Sequence, residues 1–471
     1  MNVLKFGGTS VGDGERIGRV ADLVADRARE APLVIVSAMA GITDLLVGLS
    51  DSSKRKEREA SERALDELTN RHRAALEALK LPQEETASCR EALDAEIART
   101  RERSLGVFLL EEISPRTLDA LLAVGELLSS RLLWASLRSR GVDAVLVDPR
   151  ELVATDATYG AAVPDEKEIA GRVRARVLPE AAAGRTVVTG GFVGSAPDGS
   201  ATTLGRGGSD FTAALLGAAL VDAGRSVGAI EIWTDVDGIL TADPRVVPGA
   251  RLVREVSYAE AAELAFFGAK VLHPATIRPA VARGIPVAVR NTFRPESPGT
   301  VVRADAPGTG VRAVAMRKGV TALFVGSPRM LLAHGYAARV FSVFEKHAVP
   351  VDVIATSEVS ISITVDRRAP VEALVRDLSE FAEVSVLADL AVVSVVGKAL
   401  RTTAGIAVRV FRALGDVNVV LISQGASDTN MTFVVDAKDA PEALRRLHAE
   451  FFDDAAGLTE PMRVGASGAV R

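Results

Sequence analysis

Val3-Leu-Lys-Phe-Gly-Gly-Thr-Ser10 carries the reading of this chain. Val3–Phe6 has the apolar pattern of a strand, and two glycines follow it. Lys5 places a positive charge beside the strand's end. Gly7 and Gly8 bare backbone N–H groups and let an anion approach closely. The plain alternative is a tight turn with a solvated lysine. Working outward, short β-rich runs recur at Leu33–Val36, Ala144–Val147, Thr186–Thr189, Ile230–Trp233 and Val287–Val289. Several are apolar on both faces, as strands buried between helix layers must be. They alternate with helical patterns, which predicts an α/β fold with a largely parallel sheet sandwiched by helices. Ligands of such sheets bind beyond the carboxyl ends of the strands. The glycine-bearing segments after Phe6, Val36, Thr189 and Trp233 fall there.

Three further segments join glycines to charged or hydroxyl side chains. Gly205-Arg-Gly-Gly-Ser-Asp210 opens the helical run Phe211 to Leu220. Ser209 or Asp210 would suit a helix cap. A cap alone does not need three glycines and an arginine, and Arg206 is equipped to grip a carboxylate with two parallel bonds. The helix N-terminus adds its own preference for anions. Trp233-Thr-Asp-Val-Asp-Gly238 follows a strand and precedes Ala242-Asp-Pro-Arg245. These residues make turns readily, yet two carboxylates, a threonine and an arginine also suit a nucleotide's ribose and phosphates. Phe267-Gly-Ala-Lys-Val-Leu-His-Pro274 adds another cation, and His273 before the proline is expected to be structural.

The chain lacks Gly-x-x-x-x-Gly-Lys-Ser/Thr, so it is not a P-loop NTPase. It has no His-Arg-Asp with Asp-Phe-Gly, which excludes a protein kinase, and no Gly-x-Gly-x-x-Gly after a strand with an acidic partner. A length of 471 residues predicts two or three domains. A net charge of −5 without a basic patch argues against a nucleic-acid partner. The single cysteine, Cys89, excludes an internal disulfide and reads as an incidental thiol rather than a metal ligand. No metal-ligand cluster is evident. No apolar run reaches the ~18 residues of a membrane span, and the N-terminus reads as a strand rather than a signal peptide. A cytoplasmic protein with no membrane partner is expected.

Residues 51–113 interrupt the alternation with charged helical sequence. Leu65, Leu68, His72, Leu76 and Leu79 form one stripe of an amphipathic helix. Pro82 separates it from a second helix around Leu93 and Ile97. A packed helical insertion follows, with His72 as a packed side chain. Phe293-Arg-Pro-Glu-Ser-Pro-Gly299 marks a domain boundary, beyond which the chain repeats itself. Gly335-Tyr-Ala-Ala-Arg-Val-Phe341 matches Gly405-Ile-Ala-Val-Arg-Val-Phe411, and Ile363-Thr-Val-Asp366 matches Phe433-Val-Val-Asp436, both at an offset of 70 (405 − 335 and 433 − 363). Val351-Asp-Val-Ile354 matches Val419-Val-Leu-Ile422 at 68 (419 − 351), so the first helix of the second copy is shorter. Each copy reads strand, helix, strand, strand, helix; a closing strand is evident only after the first, at Val384–Leu387. This is a ferredoxin-like βαββαβ unit used twice. One such unit exposes a sheet edge and a face, so oligomerisation is expected.

In this order the four segments resemble those of the amino-acid kinase family, and within it those of the aspartokinases. The resemblance covers almost the whole chain. It implies a catalytic domain at 1–295, an ACT domain at 315–390 and a second at 391–471, whose C-terminal strand is exchanged with the first. It implies transfer of the γ-phosphoryl group of Mg2+-ATP to the side chain of L-aspartate, the first step toward lysine, threonine and methionine. By resemblance, Lys5 stabilises the transferring group and Asp210 orients the cations. Gly7, Gly8 and Ser37 follow the phosphates, while Thr234, Asp235, Leu240, Arg245 and Lys270 line the nucleotide. Arg206 would bind the α-carboxylate and Glu126 the ammonium, with Thr43 and Ser209 completing the pocket. Glu126, in Ala123-Val-Gly-Glu126, equally fits a surface position on a helix over 117–139.

The first ACT copy, with Asp352-Val-Ile-Ala-Thr-Ser-Glu-Val-Ser360, is closest to the lysine-sensitive type. That implies an effector such as lysine or threonine at an ACT–ACT interface of a homodimer or dimer of dimers. Its lining would be the segment Met330 to Ala337, including Tyr336, with Val351, Asp352, Thr356, Ser357 and Glu358. Asp352 is suited to an effector's ammonium. Leu332, Ala333 and Pro350 depart from the family's pattern and remove polar partners. Two other readings are a sister amino-acid kinase acting on another carboxylate and a non-catalytic amino-acid sensor. Retention of Lys5 and Asp210 argues against the sensor.

Overall fold

Six strands run parallel in the order Ala144–Leu146, Thr186–Gly190, Leu33–Val36, Val3–Phe6, Ile230–Thr234 and Val287–Asn291. Thr300–Arg303 adds an antiparallel neighbour to the last. This architecture comes from a computed structural model describing residues 1–267, 272–327, 330 and 334–453. The register sets Phe6 beside Val36 and Trp233, and Val36 beside Gly190. Four strands therefore end at one level, and the segments after them share one edge. Burial on both faces explains the unbroken apolar runs: Leu33–Val36 is buried at every position. Trp233 and Phe6 stack across the sheet with ring centroids 5.9 Å apart. Such a pair adds about 0.5–1.5 kcal/mol beyond its area. The Trp233 Nε1–H donates to Glu231 at 3.0 Å, which keeps its polar end satisfied. The short hairpin of Val193–Ser195 and Ala201–Thr203 was not evident from pattern, because three-residue strands carry no period.

Helix starts follow local chemistry. Asp13 caps Gly14–Ala25, and Ser114 caps Pro115–Leu122, with proline at its first position. Residues 51–113 hold the end of helix Ile42–Lys54 and the helices Arg58–Ala78 and Gln83–Leu110. His72 is fully buried there, with Nδ1 2.7 Å from the Leu68 carbonyl. Burial lowers its pKa to about 4, so it packs as a neutral ring. Burial likewise raises the Cys89 thiol to about 11. The helical stretch Pro115–Ser139 is long and apolar enough by composition to cross a membrane. Its apolar window is 72% buried, as suits a core helix, so the sequence expectation that no such stretch exists is corrected.

Two compact units divide the chain. The first is Met1–Gly238 with His273–Ala304; the second is Ile239–Leu272 with the described residues from Asp305. Ile239–Leu272 sorts with the second unit because Ala242 and Val247 share an apolar cluster with Val314, Leu444 and Leu447. Val314 N donates to the Thr241 carbonyl at 2.8 Å, and Thr241 Oγ1 lies 2.9 Å from His448 Nε2.

In the second unit six antiparallel strands run in the order Ile354–Thr356, Ser360–Asp366, Gly310–Gly326, Glu383–Lys398, Asn430–Asp436 and Val419–Gln424. The two repeats are visible as strand, helix, strand, strand, helix. Their first helices, Tyr336–Lys346 and Ile406–Leu414, have 11 and 9 residues. The missing closing strand has a specific explanation. Val320–Gly326 pairs with Glu383–Leu390, while Gly310–Lys318 pairs with Ala391–Lys398. One long strand thus serves the first repeat with its second half and the second repeat with its first half. The edge position expected for a C-terminal strand is filled by residues that precede the first repeat.

Candidate active site

At the common strand edge of the first unit lies a cleft of ≈ 700 Å3. Lys5, Gly8, Ser37, Thr43, Glu126, Arg206, Ser209 and Asp210 all line it. Lys5 is fixed by strand Val3–Phe6, between two neighbours in register. Asp210 sits in the first turn of helix Gly208–Asp222, where the helix dipole favours an anion. The Lys5 Nζ is 2.6 Å from Asp210 Oδ1, with side chains 10% and 18% exposed. Gly7 lies beside this pair: a Cβ there would be 3.6 Å from Lys5 Nζ. No side chain caps the helix, since its cap is Gly207 in the left-handed region at φ +72°. The capping role considered for Ser209 and Asp210 is thereby excluded, and both side chains face the cleft lining instead.

Two glycines are dictated by close approach. A Cβ on Gly8 would come 2.8 Å from the Ala38 carbonyl, and one on Gly191 would come 2.6 Å from Ser209 Cβ. The first closes the turn after Lys5; the second lets the helix start dock on the end of strand Thr186–Gly190.

Glu126 lies in the first turn of Val124–Ser139 and is 3% exposed, so the surface alternative is ruled out. Burial raises its carboxyl to about 8, against a hydrogen bond from the Ala38 backbone and the charge of Lys5. Its Oε2 has no hydrogen-bond partner among the described residues. Arg206 is exposed, and its guanidinium has no ion-pair partner among the described residues. Among the described residues the cleft therefore offers a guanidinium without an ion pair and a buried carboxyl with one oxygen unsatisfied. These two groups match the two charges of an amino-acid head group. Sequence reasoning missed Asp119, Phe192 and Thr203, which also line the cleft. Asp119 was detectable as a carboxylate between Leu118 and Leu121 on an apolar helix.

Thr234 and Asp235 follow the next strand but are not part of this lining. Thr234 Oγ1 donates to Asp235 at 3.1 Å, and Asp235 is exposed. Asp237 is consumed structurally: it accepts from Asn291 at 2.7 Å and pairs with Arg294. His273 caps Pro274–Ile277 by accepting from Ala275 N, as expected of a structural residue. Leu240 and Arg245 belong to the second unit. Leu240 bridges to Leu252, and the exposed Arg245 forks onto Asp243 with bonds of 2.9 and 2.6 Å. Lys270, Leu332 and Ala333 lie outside the described residues.

The second unit holds a cleft of ≈ 600 Å3 lined by Met330, Gly335, Tyr336, Ala337, Thr356, Ser357 and Glu358. Six of the eight expected effector residues meet there. Val351 packs on an apolar cluster instead. Asp352 is turned away and paired with Arg317. Its side chain is 9% exposed, and burial raises its pKa while Arg317 opposes the shift.

A glycine-edged cleft on a helix-covered parallel sheet, retaining a lysine–aspartate pair, has the chemistry that phosphoryl transfer needs. Residues 1–291 match the model of the amino acid kinase family, and 325–376 with 393–451 match an ACT domain. The chain belongs to the amino acid kinase family. It is 39% identical over 465 residues to lysine-sensitive aspartokinase 3 of Escherichia coli K12, covering 96% of this chain and 99% of that one. E. coli aspartokinase III in complex with lysine and aspartate (T-state) gives a TM-score of 0.80 at 38% identity, covering 96% of this chain and 99% of that one. The same enzyme with aspartate and ADP (R-state) gives 0.78 at 38% identity, over 96% and 100%. Within the family this enzyme is an aspartate kinase.

Proposed function

We propose that the first-unit cleft binds L-aspartate between Arg206 and Glu126 and delivers its side-chain carboxylate to the γ-phosphoryl group of ATP beside Lys5. A carboxylate oxygen forms the new bond to phosphorus, and the bond from phosphorus to the β,γ-bridging oxygen breaks, releasing ADP and 4-phospho-L-aspartate. The attacking group is already an anion, so no strong general base is required. The residues' work is to hold two anions together and neutralise the charge between them. Lys5 faces the transferring group. Gly7, Gly8 and Ser37 follow the phosphates; Thr43 and Ser209 complete the aspartate pocket. Thr234, Asp235, Leu240, Arg245 and Lys270 take the nucleotide in the same reading.

Among the described residues no three His, Cys, Asp or Glu side chains converge on a metal position. The donor set still fits Mg2+ carried on the nucleotide, because that ion binds through one or two carboxylates and substrate phosphates. Asp210, beside Lys5, is the cleft carboxylate that would hold it. When bound, the ion offsets phosphate charge.

The catalytic domain is placed at 1–295 and the ACT domains at 315–390 and 391–471, the second completed by Gly310–Lys318. An amino-acid effector, lysine or threonine, is placed at the second-unit cleft. A cytoplasmic homodimer, or dimer of dimers, joined through the ACT domains completes the reading.

The observation that carries it is the joint presence in one cleft of the paired Lys5 and Asp210, of an Arg206 guanidinium with no ion-pair partner among the described residues, and of a Glu126 Oε2 with no hydrogen-bond partner among them. Hydroxamate formation with ATP and aspartate, with glutamate and N-acetylglutamate as controls, tests it. Equal or better turnover of either control would overturn the substrate assignment.

A further inference from the structure

Asp119 is a carboxylate with 1% exposure on helix Pro115–Leu122, in the lining of the cleft. It accepts three hydrogen bonds. Gly160 N and Thr203 N donate to Oδ2 at 2.9 and 2.8 Å, and Thr203 Oγ1 donates to Oδ1 at 2.8 Å. The loop at Gly160 and the end of strand Ala201–Thr203 are thus fastened to one side chain. They are also fastened to each other: Ala162 N donates to the Thr203 carbonyl at 2.9 Å, and a Cβ on Gly205 would lie 3.3 Å from the Gly160 carbonyl. Leu204 N then donates to the Phe192 carbonyl at 2.9 Å. Beyond that point the chain runs through Gly205 to Arg206. No ion pair holds the Arg206 guanidinium among the described residues. The placement of Arg206 therefore depends on the backbone before it, and the side chain fastening that backbone is Asp119.

We propose that Asp119 is a positioning residue for the amino-acid substrate, holding the Thr203–Gly207 loop so that Arg206 presents its guanidinium to the substrate's α-carboxylate. The inference rests on the reading of Arg206 given above. It takes Asp119 as an acceptor of hydrogen bonds rather than as a charge for the substrate. That distinction is testable, because asparagine has the right shape to keep all three bonds. Its amide oxygen accepts from the two N–H groups while its NH2 donates to the Thr203 hydroxyl. Alanine loses all three and leaves the buried Thr203 N–H unmet, while the Gly160 N–H loses its tether.

Steady-state kinetics on the full chain are expected to show Asp119→Ala raising KM for aspartate about tenfold or more, with KM for ATP within about twofold. Asp119→Asn is expected within about twofold of the parent for both substrates. Thr203→Val removes only the hydroxyl and is expected to raise KM for aspartate by about two- to fivefold, which keeps the test available if the alanine variant does not fold. In an Arg206→Ala background, Asp119→Ala should add little further rise, because both changes act through one contact. Full additivity, an equal rise in both KM values, or an asparagine variant as impaired as the alanine one overturns the proposal alone. An unchanged KM for aspartate in Arg206→Ala by itself overturns the reading of Arg206, and the proposal with it.

Discussion

Lys5 and Asp210 are each other's counter-charge: Nζ stands 2.6 Å from Oδ1, one side chain on a strand and the other in the first turn of a helix. Neither group has to be searched for by a substrate, since strand register and helix docking fix both. Lys5→Met is expected to lower kcat at least roughly 10²-fold, the loss typical of one transition-state charge partner. It also strands the partly buried Asp210, so the thermal midpoint should fall. Adding Asp210→Asn should recover the midpoint without recovering turnover. Near-normal turnover in Lys5→Met would remove this lysine from the chemistry.

Arg206 is exposed and lies in the cleft without an ion-pair partner among the described residues, so its role is read from what its removal does to each substrate. Arg206→Ala is expected to raise KM for aspartate about tenfold or more, because a charge-assisted bidentate contact is lost. KM for ATP should change little. The opposite split would move Arg206 to the nucleotide.

Much of this site was legible before the structure, and the reason is local. The turn after Lys5 needs Gly8 because the Ala38 carbonyl leaves no room for a Cβ, and such a requirement leaves a motif in the sequence. The six parallel strands were legible because double-sided burial makes unbroken apolar runs. Glu126 was ambiguous because periodicity does not say which helix face meets a cleft. Asp119 was missed because its partners, Gly160 and Thr203, lie 41 and 84 residues away. The second repeat shows no closing strand in sequence because Gly310–Lys318, ahead of the first repeat, fills that position, and such a placement obeys no sequence order. The rotation of Asp352 toward Arg317 depends on a side-chain pairing between distant residues, which no motif records.

Glu126 gives a pH signature whose sign is fixed. Its folded-state pKa is raised to about 8 from a reference of 4.5, with burial the largest cause. The native state therefore binds the extra proton between these values, and the unfolded state does not. This contribution to stability is full below the lower value and is lost as pH rises to about 8. An ammonium group arriving beside it favours the ionised form. Aspartate binding should release a proton near neutral pH, and KM for aspartate should fall as pH rises toward 8, with a slope of at most about one log unit per pH unit. Glu126→Gln should flatten that slope and weaken aspartate binding most above pH 8. A parent enzyme whose KM for aspartate is independent of pH across this range would show that Glu126 does not meet the substrate.

Arg317 is where the effector reading of the second-unit cleft is tested. It holds Asp352, the carboxylate otherwise suited to an amino acid's ammonium, and it lies over the Phe266 ring at 5.2 Å. The Asp352 side chain is largely buried, and its pKa is already raised by desolvation with Arg317 opposing. Removing the guanidinium leaves a carboxylate that gains from any ammonium placed beside it. Arg317→Met keeps an apolar stem over Phe266 while deleting the charge. The half-inhibitory concentration of lysine is expected to fall about tenfold in this variant, the scale of one charge-assisted hydrogen bond. The measurement is activity against lysine, threonine and both together, for parent and variant, alongside the thermal shift each ligand produces. A parent already strongly inhibited by lysine, with an unchanged response in Arg317→Met, would mean that the effector's ammonium is met by a group other than Asp352.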